Sequence, residues 1–127
     1  PVDGRLVDVA RQVAGRVTLD ACAKPGQCLT RPPKVVVGGN GVSGTAFVDN
    51  AAFRDFTFKT FGAQVLDMES AATAQVAYSN GVPFIAFRSL SDLAGGGEGA
   101  NEMGTFFALA SSNSAKVVRA FVTALPE

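Results

Sequence analysis

Two carboxylates, Glu69 and Asp92, carry the strongest chemical signal in this sequence of 127 residues. Glu69 follows the apolar run Ala63–Met68. Asp92 follows a second apolar run, Pro83–Arg88, and the tripeptide Ser89-Leu90-Ser91. Both runs read as strands, and Glu69–Asn80 between them reads as a helix ended by Gly81. In a parallel α/β sheet, ligands bind in the crevice outside the carboxyl ends of the strands, so both acids fall on one functional edge. The chain has no histidine, which removes Ser-His-Asp, Cys-His and histidine–metal mechanisms together. Acid–base work then falls to carboxylates, lysine, tyrosine or cysteine. Taken alone, Glu69 is also an ordinary acid in the first turn of a helix, where the macrodipole favours its ionised form.

The bulk numbers frame those acids. A chain of this length fits one domain with a useful core. A hydrophobic content of 47% with 17% charged residues fits a globular α/β protein. Eleven basic and eleven acidic residues cancel, so electrostatics make no case for a nucleic-acid or membrane partner. No apolar run approaches the ~20 residues that cross a bilayer.

The elements that must position the acids can be read in order. Asp3–Ala14 predicts a helix, with Leu6, Val9, Ala10 and Val13 at helical spacing and Gly15 at its end. Val17–Leu19 reads as extended. Residues 20–33 hold three prolines and both cysteines and read as a loop or hairpin. Cys22 and Cys28 enclose Ala-Lys-Pro-Gly-Gln, a turn-rich stretch able to bring the thiols together. A disulfide there implies an oxidising compartment, periplasmic or secreted. Two unpaired thiols in a surface loop, in a cytoplasmic protein, is the alternative. Metal binding needs more ligands than these two cysteines supply.

Lys34–Val37 reads as a buried strand opening into Gly38-Gly39-Asn40-Gly41-Val42-Ser43-Gly44. Residues 39–44 satisfy G-x-G-x-x-G, the dinucleotide-binding fingerprint. Two features count against it. Thr45–Val48 looks extended where the fingerprint needs a helix, and Asp67 lies further on than the expected ~20 residues. Asp49 or Asn50 instead looks like the cap of a helix over Ala51–Phe61, ended by Gly62. Phe53, Phe56, Phe58 and Phe61 on that helix predict a broad core face, with a subunit contact as the alternative. After Asp92 the glycine-rich Gly95–Ala100 predicts a loop that closes over a ligand, or a plain connector. Glu102–Leu125 then reads as one long helix, irregular around Ser111–Ser114.

Asp67-Met68-Glu69-Ser70-Ala71-Ala72, Gly81-Val82-Pro83-Phe84 and Arg88-Ser89-Leu90-Ser91-Asp92-Leu93-Ala94 together resemble the purine nucleoside phosphorylase/nucleosidase superfamily. The nearest branch is the 5′-methylthioadenosine/S-adenosylhomocysteine nucleosidases, and the likeness covers Lys34–Leu125. It implies a three-layer α/β/α fold with a central mixed sheet, of which residues 1–127 are the C-terminal portion of a single domain. It implies hydrolysis of the N-glycosidic bond of a purine nucleoside, without a cofactor. The partners it implies are a purine nucleoside or adenine, the N-terminal half as a separate chain, and a second copy in a homo-oligomer, a dimer of the full unit.

The resemblance also assigns roles. Breaking a nucleoside C–N bond leaves negative charge on the base and an oxocarbenium-like sugar. Asp92 resembles the acid that protonates purine N7, its pKa held up by a dry site, with Ser91 orienting it. Glu69, acceptor-only when ionised, would take hydrogen bonds from two ribose hydroxyls beside the Met68 backbone. Its charge would face the positive charge developing on the sugar. Ser43–Val48 resembles the purine pocket, with Phe47 stacked on the base and the backbone at Val48 reading its polar edge. Phe47 also reads as an ordinary core aromatic. Thr45 stands where this branch often has an acid and receives no role. Met103 matches a pocket-closing apolar position, or simple packing. No lysine or arginine lies between Asp92 and Met103, which favours water over phosphate as the attacker. A phosphorylase and a non-catalytic relative of plant storage proteins are the competing readings.

Overall fold

The computed structural model describes residues 2–90 and 103–126. Ser91, Asp92 and the glycine-rich stretch expected to close over a ligand lie outside the described residues.

Helix α1 (Gly4–Ala14) begins where Asp3 can cap it. The Asp3 carboxylate accepts from the N–H of Arg5 at 2.9 Å and of Leu6 at 3.3 Å, filling first-turn amides that have no partner within the helix. The apolar spacing seen in the sequence buries Ala10 and Val13. They pack towards α4 (Met103–Thr123), in which Leu109 and Phe121 are buried. The core sits between these two helices.

Strands β1 (Cys22–Lys24) and β2 (Gln27–Cys28) form an antiparallel hairpin. Gly26 supplies the left-handed turn with φ 81°. Cys22 and Cys28 are opposite each other in the register, with Cα atoms 3.9 Å apart, and are joined as a disulfide. The hairpin is tied to α4 through Asp20. Buried Asn113 donates to the Asp20 carbonyl and accepts from its N–H, both at 2.9 Å. Lys116 Nζ lies 2.6 Å from Asp20 Oδ2. This clamp explains why α4 runs unbroken through Ser111–Ser114, where the sequence predicts an irregularity. The polar Asn113 faces inward because the Asp20 backbone satisfies both ends of its amide.

The parallel pair is β3 (Asn40–Ser43) with β4 (Ala63–Asp67), in the register Val42↔Leu66 and Ser43↔Asp67. Helix α2 (Ala51–Phe61) makes the crossover. The strand expected at Lys34–Val37 is absent, and the ladder starts later, inside the glycine run. Gly38 and Gly39 adopt φ of 97° and 96°, left-handed conformations that glycine alone adopts freely. They turn the chain just ahead of the pairing. A Cβ on Gly39 would collide with the Gln64 side chain. Asn40 Nδ2 donates to Phe61 O at 2.9 Å and pins the start of β3 to the end of α2.

This placement also removes the dinucleotide reading. The G-x-G-x-x-G glycines straddle a strand, Thr45–Val48 is not helical, and α2 starts only at Ala51. Asn50 caps α2 by accepting from the Phe53 N–H at 2.9 Å, and Gly62 ends it with φ 62°. These boundaries match the sequence expectation. The face does not: Phe53, Phe56, Phe58 and Phe61 are all exposed, and Thr57 is the buried residue of α2. The core reading of the four phenylalanines fails because α2 packs on β4 along one narrow side. Three of the rings pack on one another at the surface, Phe53–Phe56 at 6.3 Å and Phe56–Phe61 at 6.1 Å between centroids.

Helix α3 (Ser70–Ser79) follows β4, with Glu69 and Asn80 as its flanking caps. None of its residues is buried. The run Pro83–Arg88, expected as a strand, is not part of any sheet. It is anchored differently. The Phe84 carbonyl accepts from the Asp3 N–H at 2.8 Å, and the Phe87 ring lies 4.9 Å from Phe121. Apolar residues alone make such a run extended; only a neighbouring edge makes it a strand. The described residues form an α/β fold of four helices, one parallel strand pair and one hairpin.

Candidate active site

Because β3 and β4 run parallel, their carboxyl ends leave the sheet on the same edge. Ser43 and Asp67 are paired at that edge, and the Gly44 N–H donates to the Asp67 carbonyl at 3.1 Å. From one strand emerges the segment 44–48, from the other Met68-Glu69. The edge is the crevice position at which open α/β sheets bind ligands.

Asp67 is the centre of the polar structure here. Its side chain is only 11% exposed. Oδ1 accepts from the N–H of Ser70 at 3.0 Å and of Glu69 at 3.2 Å. Asp67, rather than Glu69, therefore occupies the positive end of α3. The Ser70 hydroxyl donates to Oδ2, and Arg88 Nε lies 2.9 Å from the same oxygen. Ser43, paired with Asp67 across the two strands, accepts from the Ala71 N–H at its hydroxyl oxygen, 3.0 Å away. Burial by itself would raise the Asp67 pKa. The hydroxyls of Ser43 and Ser70, the Ser70 amide and the Arg88 charge outweigh it and hold the carboxyl down to about 2. Asp67 is a fixed anion at neutral pH.

Arg88 connects this anchor to Glu69. Its Nη1 lies 3.1 Å from Glu69 Oε2, while Nε and Nη2 donate to Ser70 Oγ at 3.1 and 3.0 Å. A planar guanidinium presents its donors in fixed directions, so one cation joins two carboxylates and a hydroxyl. The Glu69 side chain is 66% exposed. Its second oxygen, Oε1, has no hydrogen bond to a described residue. An exposed carboxylate held at one oxygen can accept from the hydroxyls of a ligand at the other.

The remaining expected residues are less closely gathered. Phe47 is 70% exposed and Met68 is exposed, both on segments leaving this edge, while Val48 is half-buried. No aromatic contact holds the Phe47 ring among the described residues. Met103 opens α4, with its side chain outside the description. Ser91 and Asp92 lie outside the described residues. The sequence reading gave no role to Ser70 or Arg88, weighed Asp67 only for the dinucleotide fingerprint, and took Ser43 only as the start of the purine-pocket segment. A signal was present: Asp67 and Arg88 close the two apolar runs with opposite charges, and Ser43 stands at the corresponding position of β3.

A groove of about 840 Å³ lies elsewhere, between α1 and α4, lined by Val13, Arg16, Val17, Lys116, Arg119 and Ala120 among others. It shares no residue with the Asp67–Arg88–Glu69 cluster. Among the described residues no group of three or more His, Cys, Asp or Glu could hold a metal ion. None of the described helices is long and apolar enough to cross a membrane.

Fold and edge together define an α/β protein with an acidic, arginine-bridged site at the carboxyl ends of parallel strands. The chain belongs to the phosphorylase superfamily, whose family model matches residues 1–123. It is 44% identical over 81 residues to a 5′-methylthioadenosine/S-adenosylhomocysteine nucleosidase of Treponema pallidum, covering 61% of this chain and 29% of that protein. The nucleosidase of the same name from Halalkalibacterium halodurans is 35% identical over 121 residues, 94% of this chain and 46% of that protein. Bark storage protein A of Populus deltoides is 36% identical over 69 residues, 54% of this chain and 22% of that protein. The chain thus spans less than half the length of these curated relatives. No solved structure matches it.

Proposed function

We propose that this chain carries the base- and ribose-binding part of a purine nucleosidase. In this reading it is the C-terminal portion of the domain and acts on nucleosides of the methylthioadenosine or S-adenosylhomocysteine type. Glu69 accepts from the ribose hydroxyls beside the Met68 backbone, and Phe47 and the backbone at Val48 take the base. Asp92, oriented by Ser91, protonates the departing purine, and Met103 closes the pocket. Water is the attacker, and the group that activates it comes from a companion N-terminal segment. The full unit is a dimer.

The observation that carries this reading is the shared edge. The paired ends Ser43 and Asp67 send the Phe47 segment and the Met68-Glu69 segment out side by side. A nucleoside needs this juxtaposition, with its base beside its sugar. The nucleosidase names of relatives at 35–44% identity give it further support. The disulfide is compatible with an extracytoplasmic setting.

The test is incubation of the native assembly with methylthioadenosine, S-adenosylhomocysteine and inosine, with and without phosphate. Adenine released without phosphate supports the hydrolase. Strict dependence on phosphate makes the protein a phosphorylase. No release under any condition sinks the catalytic reading and favours a storage role, the role named for the poplar relative.

A further inference from the structure

We propose that Asp67 is a positioning residue that fixes Arg88 and, through it, the carboxylate of Glu69 in the orientation that receives a ribose diol. The proposal rests on the ribose role of Glu69 given above. Asp67 is set back from a ligand: its side chain is 11% exposed, Oδ1 is taken by the N–H groups of Glu69 and Ser70, and Oδ2 by the Ser70 hydroxyl and Arg88. Those neighbours come from β3, from the start of α3 and from the segment after Gly81. Asp67 is where the three parts are joined.

Glu69 needs such an anchor. Its side chain is 66% exposed and makes no cap bond to α3, so alone it would sample many rotamers and pay their entropy on meeting a ligand. Arg88 Nη1, 3.1 Å from Oε2, removes that freedom only if the guanidinium is itself fixed. Asp67 Oδ2 at 2.9 Å from Nε, with Ser70 Oγ against Nε and Nη2, fixes it. An amide in place of Asp67 could still accept from the α3 N–H groups. It would lack the charge that holds the guanidinium. A capping role and a positioning role can therefore be separated.

The probe is a purine-like C-ribonucleoside, whose glycosidic carbon–carbon bond cannot be hydrolysed, titrated calorimetrically against its 2′,3′-dideoxy counterpart. The ratio of the two affinities reads the diol contact and is indifferent to overall stability, followed separately by thermal melting. In the native assembly, Glu69→Gln and Asp67→Asn should each lower the ratio by about tenfold, the size expected for hydrogen bonds to charged groups. The double variant should lower it no further, since both act on one contact. A ratio lost in Glu69→Gln but kept in Asp67→Asn overturns the positioning role and leaves the ribose reading standing. A ratio kept in Glu69→Gln, or absent in the unmodified protein, overturns both. Should Asp67→Asn fail to fold, Arg88→Ala cuts the same link from the more exposed side, and an unchanged ratio there is equally fatal.

Discussion

Arg88 Nη1 and Glu69 Oε2 lie 3.1 Å apart, which ties the residue that ends one extended segment to the carboxylate that opens the preceding helix, α3. The contact is one arm of a guanidinium whose other arm reaches Asp67 and Ser70. Lysine is a point charge and cannot serve both carboxylates in fixed directions. Arg88→Lys should therefore weaken ribonucleoside binding by about fivefold while changing stability by less than about 1 kcal/mol, because lysine keeps a positive charge beside Asp67 and the Glu69 end of the pair is exposed. Calorimetric titration with urea unfolding of the same samples reads both.

Asp67 should leave a mark on acid stability. Its folded carboxyl is held down to about 2 against an ordinary 3.8. A depressed folded pKa adds stability that is complete above the unfolded value and is lost as pH falls through the folded one. The unmodified protein should thus lose on the order of 1–2 kcal/mol between pH 5 and 2 from this group. Asp67→Asn should lack that component and show a flatter melting temperature over the same range.

Asn113 is the polar residue at the centre of the α4 contact. Asn113→Ala leaves both backbone groups of Asp20 without their protein partner, and should cost roughly 1–3 kcal/mol in urea unfolding. Asn113→Asp should be no better, since a carboxylate cannot donate to the Asp20 carbonyl.

Removing the disulfide by Cys22→Ser and Cys28→Ser should lower stability by about 2 kcal/mol in the loop-entropy picture for so short a loop. Unfolding with and without reductant should show the same loss in the unmodified protein and none in the double variant. Nucleoside binding should not change, because among the described residues the hairpin packs on α4, away from the β3–β4 pair that carries Glu69.

The chemistry proposed for Asp92 has its own test. Asp92→Asn should abolish turnover and largely spare nucleoside binding, measured by product release and by titration. Undiminished turnover would refute the acid role.

Local chemistry set much of this molecule. Asp3, Asn50 and Gly62 mark helix ends because each supplies a bond or a backbone conformation that needs no distant partner. The Cys22–Cys28 closure follows in the same way from a short turn. Tertiary structure decided everything that depends on a neighbour. Lys34–Val37 and Pro83–Arg88 have the composition of strands, yet pairing fell to Asn40–Ser43, because a ladder needs a second edge in register and composition does not say which edge is free. The α2 phenylalanines look like core but face outward, since burial depends on what covers a helix. The Ser43–Asp67–Arg88–Glu69 cluster joins residues far apart in the chain. Its charges were visible in the sequence, but only parallel pairing of β3 with β4 and the return of the chain after Gly81 brought them within hydrogen-bond reach.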